Sequence, residues 1–422
     1  MPAALLSFDE ASAVVARCAS RLSSRIPARE LVPLAQAAGR VLAHPLFADS
    51  DHPPFPRSTR DGFACRAAEA STHGFLALAG SIRAGEAPAP HLAAGSACEI
   101  MTGAAVPDGA DAVAMLEHVE VVDGRVRLLP PRRLVSGENI VVRGAQARAG
   151  DELLPPGTPI TAAQIALAAS CGHSSLEVFW RTRVAILTTG DELVPVDAEL
   201  GPGQIRNSNA PMLAALVAAA GGDPWILPTA ADNAASLDRA LDQAGSADML
   251  LISGGVSAGK FDLVEPALAR FGAQFHFTGV RIQPGKPLVF AEIPVRTANA
   301  DQNKYSTKCF GLPGNPISSA VTFLLFAAPV LAALAGSRDL GPRFALAQLA
   351  QDHTRSFKPG LTRFLPARCT FAAVDGQLPC VAQIHMEGSG DLAAFARSNC
   401  FLVIPDNAAH LEEGATVRIL LP

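Results

Sequence analysis

The sequence predicts a multidomain α/β chain: a central open α/β (doubly wound) domain, a β-rich inserted domain, an N-terminal helical/linker domain and a C-terminal small β-barrel domain. Three observations carry this. Between 183 and 335 short apolar runs alternate with helical periodicity, the pattern of a parallel sheet covered by helices. Between 51 and 146 the chain reads as short strands and turns, and beyond 343 strands return. With 422 residues, 49% hydrophobic and 17% charged, it can build several cores. The expected boundaries are 1–50 with 147–180 for the helical/linker domain, 51–146, 181–338 and 339–422.

In chain order, 8–21 reads as an amphipathic helix opened by Ser7 and Glu10 at capping-box spacing, and 31–38 as a second helical segment. A proline-rich stretch at 51–57 then leads into strands at 75–79, 97–101, 112–116, 119–122 and 126–129. Asp123-Gly124 between the last two is a hairpin signal. Helical periodicity resumes at 161–172. The α/β segment follows with strands at 184–188, 225–227, 249–252, 275–277, 288–291 and 309–312. Its helices are 209–220 (capped by Asn209), 232–244, 262–271 and 316–335. The stretch 292–308 reads as a polar surface loop. The apolar run 320–336 contains Pro329 and falls short of the ~20 residues a membrane span requires, which makes it a core helix. Strands at 363–365, 381–384, 400–404 and 417–421 close the chain.

Composition excludes several classes. A net charge of −5 argues against general nucleic-acid binding. The 8 cysteines contain no C-x-x-C pair and the ten histidines show no metal-ligand spacing, so neither a disulfide framework nor a zinc motif is expected. Asp9, Glu10 and Arg17 interrupt the first twenty residues, so no signal-peptide core is legible there. The expected setting is the cytoplasm, without membrane attachment.

The chemistry-bearing loops follow strands. Met249-Leu-Leu-Ile252 runs into Ser253-Gly254-Gly255-Val-Ser257-Ala-Gly259-Lys260-Phe261-Asp262. Its glycines let backbone N–H groups approach a ligand, and a helix start beyond them suits phosphate. Gly254, Gly259 and Lys260 nearly spell a P-loop, but Phe261 replaces the magnesium-holding hydroxyl and Asp262 follows. Asp262 is then either a metal ligand beside phosphate or a helix cap with Glu265 as its box partner; the two roles are compatible. Asp191 and Glu192 follow Gly190 as adjacent carboxylates that solvent or a metal must stabilise. Gln283-Pro-Gly-Lys286-Pro287 is a rigid loop presenting one ammonium. Leu312-Pro-Gly314-Asn315-Pro316-Ile-Ser318 ends in a helix start with Asn315 as cap and Pro316 in the first position. Taken singly, each loop reads as a turn plus a cap. Together they fit a phosphorylated ligand held through a divalent cation. No Ser-His-Asp or Cys-His arrangement is legible.

Thr189-Gly-Asp-Glu-Leu, Ser253-Gly-Gly-Val-Ser-Ala-Gly, Pro284-Gly-Lys-Pro and Leu312-Pro-Gly-Asn-Pro-Ile-Ser stand in an order and spacing that resembles the molybdopterin molybdenumtransferases, the MoeA family that includes the E domain of gephyrin. Ser58-Thr-Arg-Asp61-Gly-Phe-Ala and Met101-Thr102-Gly-Ala extend the resemblance to the β-rich segment. The resemblance implies a homodimer whose cleft lies between the α/β domain of one subunit and the β-rich domain of the other. It implies that adenylylated molybdopterin is hydrolysed with release of AMP as molybdate is inserted, the last step of molybdenum cofactor biosynthesis. A molybdopterin adenylyltransferase is the implied upstream partner. By the same resemblance Asp61, Thr102, Glu192, Asp232 and Asp262 are catalytic, with Asp262 and Glu192 holding Mg2+. Gly254, Gly255, Ser257, Gly259, Lys286, Pro287, Gly314, Asn315, Ser318, Arg363 and Ser389 bind substrate. Asp232 reads alternatively as a helix cap.

Four residues depart from the family pattern: Gln283 stands where Lys is usual, Ala145-Gln146 replaces Glu-Asp, and Arg60 replaces a small or apolar residue. A diverged paralogue with weak insertion, acting as a molybdopterin-binding or scaffold protein, is the alternative. Arg281 is the candidate to compensate for the charge missing at Gln283.

Overall fold

The structure, a computed structural model, describes residues 5–22, 27–87, 91–255, 263–294, 306–352, 359–370, 377–408 and 410–422. The chain divides into two compact units. His44–Pro156 with Ala163–Ser174 forms one; Met1–Ala43, Gly157–Ala162 and Ser175–Pro422 form the other.

The smaller unit is built on a six-stranded sheet. Its order is Ala112–Met115, Gly62–Cys65, Ser96–Ile100, Leu76–Ile82, Arg125–Leu128 and Val119–Val122. Asp123 and Gly124 both have positive φ (46° and 71°), as a two-residue hairpin turn between right-twisted strands demands. Alternation buries Phe63, Leu76 and Val126 on one face and Ile82, Ile100 and Val113 on the other.

In the larger unit, helix α1 (Phe8–Leu22) starts at the expected capping box: Glu10 N–H donates to Ser7 Oγ (3.2 Å) and Ser7 N–H to Glu10 Oε2 (2.7 Å). The segment read as a helix at 31–38 is helical only in its second half. Arg29–Pro33 pairs with Ser175–Phe179, and only Leu34–Ala37 is helical. Pro33 disfavours helical backbone at Val32, and the partner strand supplies the ladder.

The central sheet has six strands: β1 (Arg183–Thr188), β2 (Asp223–Ile226), β3 (Met249–Ser253), β4 (Gln274–Phe277), β5 (Val289–Pro294) and β6 (Ser306–Leu312), in the order β2-β1-β3-β6-β5-β4. Strands β1, β2, β3 and β6 are parallel, whereas β5 runs antiparallel to both its neighbours, β6 and β4. The sheet is therefore mixed rather than wholly parallel, because no helical crossover joins β5 to β6 among the described residues. Their ladder extends to Pro294↔Ser306, so the two described ends of the expected surface loop at 292–308 are sheet, and Glu292 lies opposite Lys308.

Among the described residues, α1 and four further helices flank these strands: α2 (Asn209–Ala219), α3 (Ala234–Gln243), α4 (Val264–Arg270) and α5 (Pro316–Leu334). Ile186, Leu251 and Phe310 pack against Val15 of α1, Leu213 of α2 and Val321 and Phe326 of α5. Their strand neighbours Leu187, Leu250 and Ile252 pack against Leu237, Leu241 and Leu268 of α3 and α4. Both faces are covered, which accounts for strands without polar alternation. Helix α5 is long and apolar enough to cross a membrane, but 78% of it is buried in this core. It widens into a π turn at Phe323–Ala327 just before Pro329, whose ring cannot donate to the carbonyl four residues back.

Beyond α5, Thr362–Thr370, Cys380–Gln383, Phe344–Leu349, Thr416–Leu420 and Cys400–Ile404 pair in that order. Cys400–Ile404 pairs back onto Thr362–Thr370, closing a small barrel. Ile282–Gln283 adds a short parallel strand beside Thr362–Arg363.

Candidate functional site

Three parallel strands end together. Thr188, Ser253 and Leu312, the last residues of β1, β3 and β6, are register partners across the sheet. The loops that leave them are laced by main-chain hydrogen bonds: Thr189 N–H to Ser253 O (3.1 Å) and Gly254 N–H to Leu312 O (3.2 Å). Gly254 has φ +102°, and a Cβ there would lie 2.6 Å from Thr189 O, so no other residue fits without displacement. Beyond these ends lies a cleft of about 730 Å³, lined among others by Glu192, Asp232, Gly254, Gly255, Pro287 and Asn315. This is where an open α/β sheet takes its ligand.

Amides tie the rim. Asn209 does not cap α2; its Nδ2 donates to Ser253 Oγ (2.8 Å) and Gly314 O (2.6 Å), bridging two strand ends. Asn207 Oδ1 accepts from Ala210 N–H instead (3.1 Å). Asn315 occupies the cap position of α5 without a side-chain cap; its Nδ2 donates to Ser389 Oγ (2.8 Å). Among the described residues, Thr189 Oγ1 and Asn209 Oδ1 are buried with no hydrogen-bond partner, and both residues line the cleft. Such atoms cost about 1–3 kcal/mol unless a ligand engages them.

One flank is acidic. Asp191 Oδ1 accepts from Asp232 N–H (3.0 Å), while the Glu192 carboxylate folds over Gly190, where a Cβ would lie 2.6 Å from Glu192 Oε2. Asn233, not Asp232, caps α3, accepting from Ser236 N–H (2.9 Å). The cap reading of Asp232 is thereby corrected. Burial raises the Asp232 carboxyl above its ordinary value, and the negative charges of Asp191 and Glu192 add to this against a backbone hydrogen bond. Asp191, Glu192 and Asp232 make this flank negative and attractive to a divalent cation, but their oxygens do not converge on one point.

The other expected residues fall into separate places. Lys286 is exposed, next to the cleft-lining Pro287; Ser318 is buried in the first turn of α5. Arg363 is buried on its barrel strand, donating from Nε to Gln283 Oε1 (3.0 Å) and from Nη1 to Leu361 O (3.0 Å). Arg281 donates to Leu5 O (3.4 Å), so Arg363 rather than Arg281 is the cation beside Gln283. Asp61 and Thr102 belong to the smaller unit and to each other: Asp61 Oδ1 accepts from Thr102 N–H (2.6 Å) and Oγ1–H (2.8 Å), which lowers its pKa. Ser257, Gly259 and Asp262 lie outside the described residues, and α4 begins at Val264, two residues after the expected start. Sequence reasoning missed Thr189, Arg206, Asn207 and Asn209 as cleft residues. The polar run Arg206-Asn-Ser-Asn was the available signal.

Family models cover most of the chain: the MoeA N-terminal region (domain I and II) over 6–172, a probable molybdopterin binding domain over 185–333, and the MoeA C-terminal region (domain IV) over 350–421. A molybdopterin molybdenumtransferase from Nostoc sp. is 35% identical over 402 residues, 93% of this chain and 88% of that protein. One from Bacillus subtilis is 34% identical, covering 93% and 89%. The crystal structure of a molybdopterin biosynthesis MoeA protein from Pyrococcus horikoshii superimposes with a TM-score of 0.76 at 27% identity, over 99% of this chain and 100% of that one.

Proposed function

The chain belongs to the MoeA family of molybdopterin molybdenumtransferases and is a transferase of molybdenum cofactor biosynthesis; from that premise we propose that its cleft binds adenylylated molybdopterin, releases AMP and admits molybdate. The observation that carries this is the alignment of Thr188, Ser253 and Leu312 under a cleft with carboxylates on one flank. Thr189 Oγ1 and Asn209 Oδ1 offer acceptors to the N–H groups of a pterin. Gly254 and Gly255 keep the floor free of side chains, so the main chain can lie against the ligand.

Glu192, which shares the acidic flank with Asp232, and Asp262, which the family resemblance adds, would hold Mg2+, whose charge offsets theirs and that of the phosphates. Through that charge, Glu192 and Asp262 would position the phosphate for attack by water. Lys286, Ser318, Arg363 and Ser389 serve the oxyanion side, where Arg363 supplies a fixed positive charge. Asp61 and Thr102 of a second copy complete the cleft in a homodimer, and a molybdopterin adenylyltransferase supplies the substrate in the cytoplasm.

AMP release from purified adenylylated molybdopterin, followed against Mg2+ concentration, tests the reading. Asp262→Asn removes the charge while keeping a polar side chain of the same size, and is expected to slow release by roughly a hundredfold. Release at the parent rate with unchanged metal dependence would remove Asp262 from the metal site.

A further inference from the structure

In the smaller unit, none of it lining the cleft, Asp49, His52 and Cys171 place one ligand atom each within 4.8 Å of one another. Asp49 and His52 are three residues apart in an irregular stretch. Cys171 follows the helix Ala162–Ser170, 119 residues later in the chain from His52. His52 Nε2 lies 3.4 Å from Asp49 Oδ1 and 3.7 Å from Cys171 Sγ. Both contacts fall on the same ring nitrogen. A catalytic relay would divide them between Nδ1 and Nε2, and a single proton on Nε2 can serve only one of them. A cation at the centre serves all three. Tetrahedral coordination at ordinary zinc–nitrogen, –oxygen and –sulfur lengths separates ligand atoms by about 3.3–3.6 Å, close to the two distances observed.

The surroundings agree. Cys171 is buried, the His52 side chain is 20% exposed and that of Asp49 51%, so the site is anchored from inside and open on the carboxylate side for entry and a water ligand. Ser50 Oγ donates to Asp49 Oδ1 (3.1 Å), and Ser170 Oγ lies 4.0 Å from Cys171 Sγ. Gly172, at φ +77°, leaves room where a Cβ would approach Asp49 Oδ2 to 3.4 Å. A mixed thiolate, imidazole and carboxylate set selects a borderline transition ion over Mg2+ or Ca2+.

We propose that Asp49, His52 and Cys171 form a zinc-class metal site that ties the end of the helix Ala162–Ser170 to the stretch at 49–52. Binding releases the Cys171 thiol proton, so affinity rises with pH. The test is Co2+ titration of the full chain after dialysis against chelator. A thiolate-to-cobalt charge-transfer band should saturate at one ion per chain and be displaced by Zn2+. Cys171→Ser and His52→Ala should abolish it, whereas the exposed Asp49→Asn, which should leave the fold intact, is expected to weaken binding about tenfold or more. Cys380→Ser, removing the exposed thiol, should leave the band unchanged. Zn2+ should raise the melting temperature of the parent chain by more than that of Asp49→Asn at the same concentration. The proposal is overturned by absence of a saturable band, by its survival in Cys171→Ser or His52→Ala, or by its loss in Cys380→Ser.

Discussion

Gln283 shows how a single departure is reinterpreted once its neighbour is known. Its Oε1 accepts from the buried Arg363 guanidinium, so the neutral amide holds the cation in place. A Lys at 283 would set two positive charges side by side and remove the acceptor. Gln283→Lys is therefore expected to lower stability by about 1 kcal/mol and to raise the molybdate concentration needed for half-maximal cofactor formation several-fold. Unchanged denaturation and molybdate curves would remove Arg363 from the oxyanion side. Asp232 gives a second test. Its folded pKa is raised, so its stabilising contribution is present below the unfolded carboxylate range and is lost as pH rises through the folded value. In chelator, Asp232→Asn should unfold at a higher temperature than the parent near neutral pH. It should also lose the stabilisation that Mg2+ gives the parent, and thermal scans with and without the ion measure both effects.

At the level of elements, the pairing of β5 with β6 creates an ion-pair network where the sequence suggested a solvated loop. Glu292 accepts from His276 Nε2 (3.0 Å), Lys308 Nζ (2.6 Å) and Ser306 Oγ (2.6 Å), and Lys308 is only 4% exposed. The His276 hydrogen bond, then those from Lys308 and Ser306, holds the Glu292 carboxyl far below its ordinary range despite burial. The sign is opposite to that of Asp232. The contribution is present above the unfolded value of about 4.3 and disappears as pH falls toward the folded pKa. Glu292→Gln should cost about 2–3 kcal/mol at pH 7 by leaving Lys308 poorly compensated, with the deficit shrinking as the medium is acidified below about pH 4. Urea denaturation across that range measures it; a deficit independent of pH would assign the loss to packing.

For the whole molecule, the proposed composite cleft predicts complementation. An Asp61→Ala chain mixed one-to-one with an Asp262→Ala chain should recover about a quarter of parent AMP release, since half of random dimers carry one intact site of two. No recovery after demonstrated subunit exchange would place both residues in the same chain's site, and a monomer by light scattering would do the same. Such a result would leave the cleft of the larger unit intact as a ligand site.

Much of this architecture was legible because it depends on local rules. The capping box of Ser7 and Glu10, the Asp123-Gly124 turn, the unbroken apolar strands β1 and β3 and the glycine loops after them are fixed by backbone sterics and side-chain periodicity within a few residues. So the sequence by itself determined the α/β class, the strand ends where the cleft lies and the family to which the chain belongs. What it left open depends on partners far along the chain. Asn209 and Asn315 have the chemistry of caps, but Gly314 and Ser389 compete for their amides only after folding. Whether β5 turns back on β6, whether Cys400–Ile404 closes the barrel and whether Cys171 meets His52 were decided by the tertiary structure alone. The physical reason is that hydrogen bonding and metal ligation are short-ranged in space and indifferent to separation in sequence, so residue types state what a side chain can do and packing selects which of those things it does.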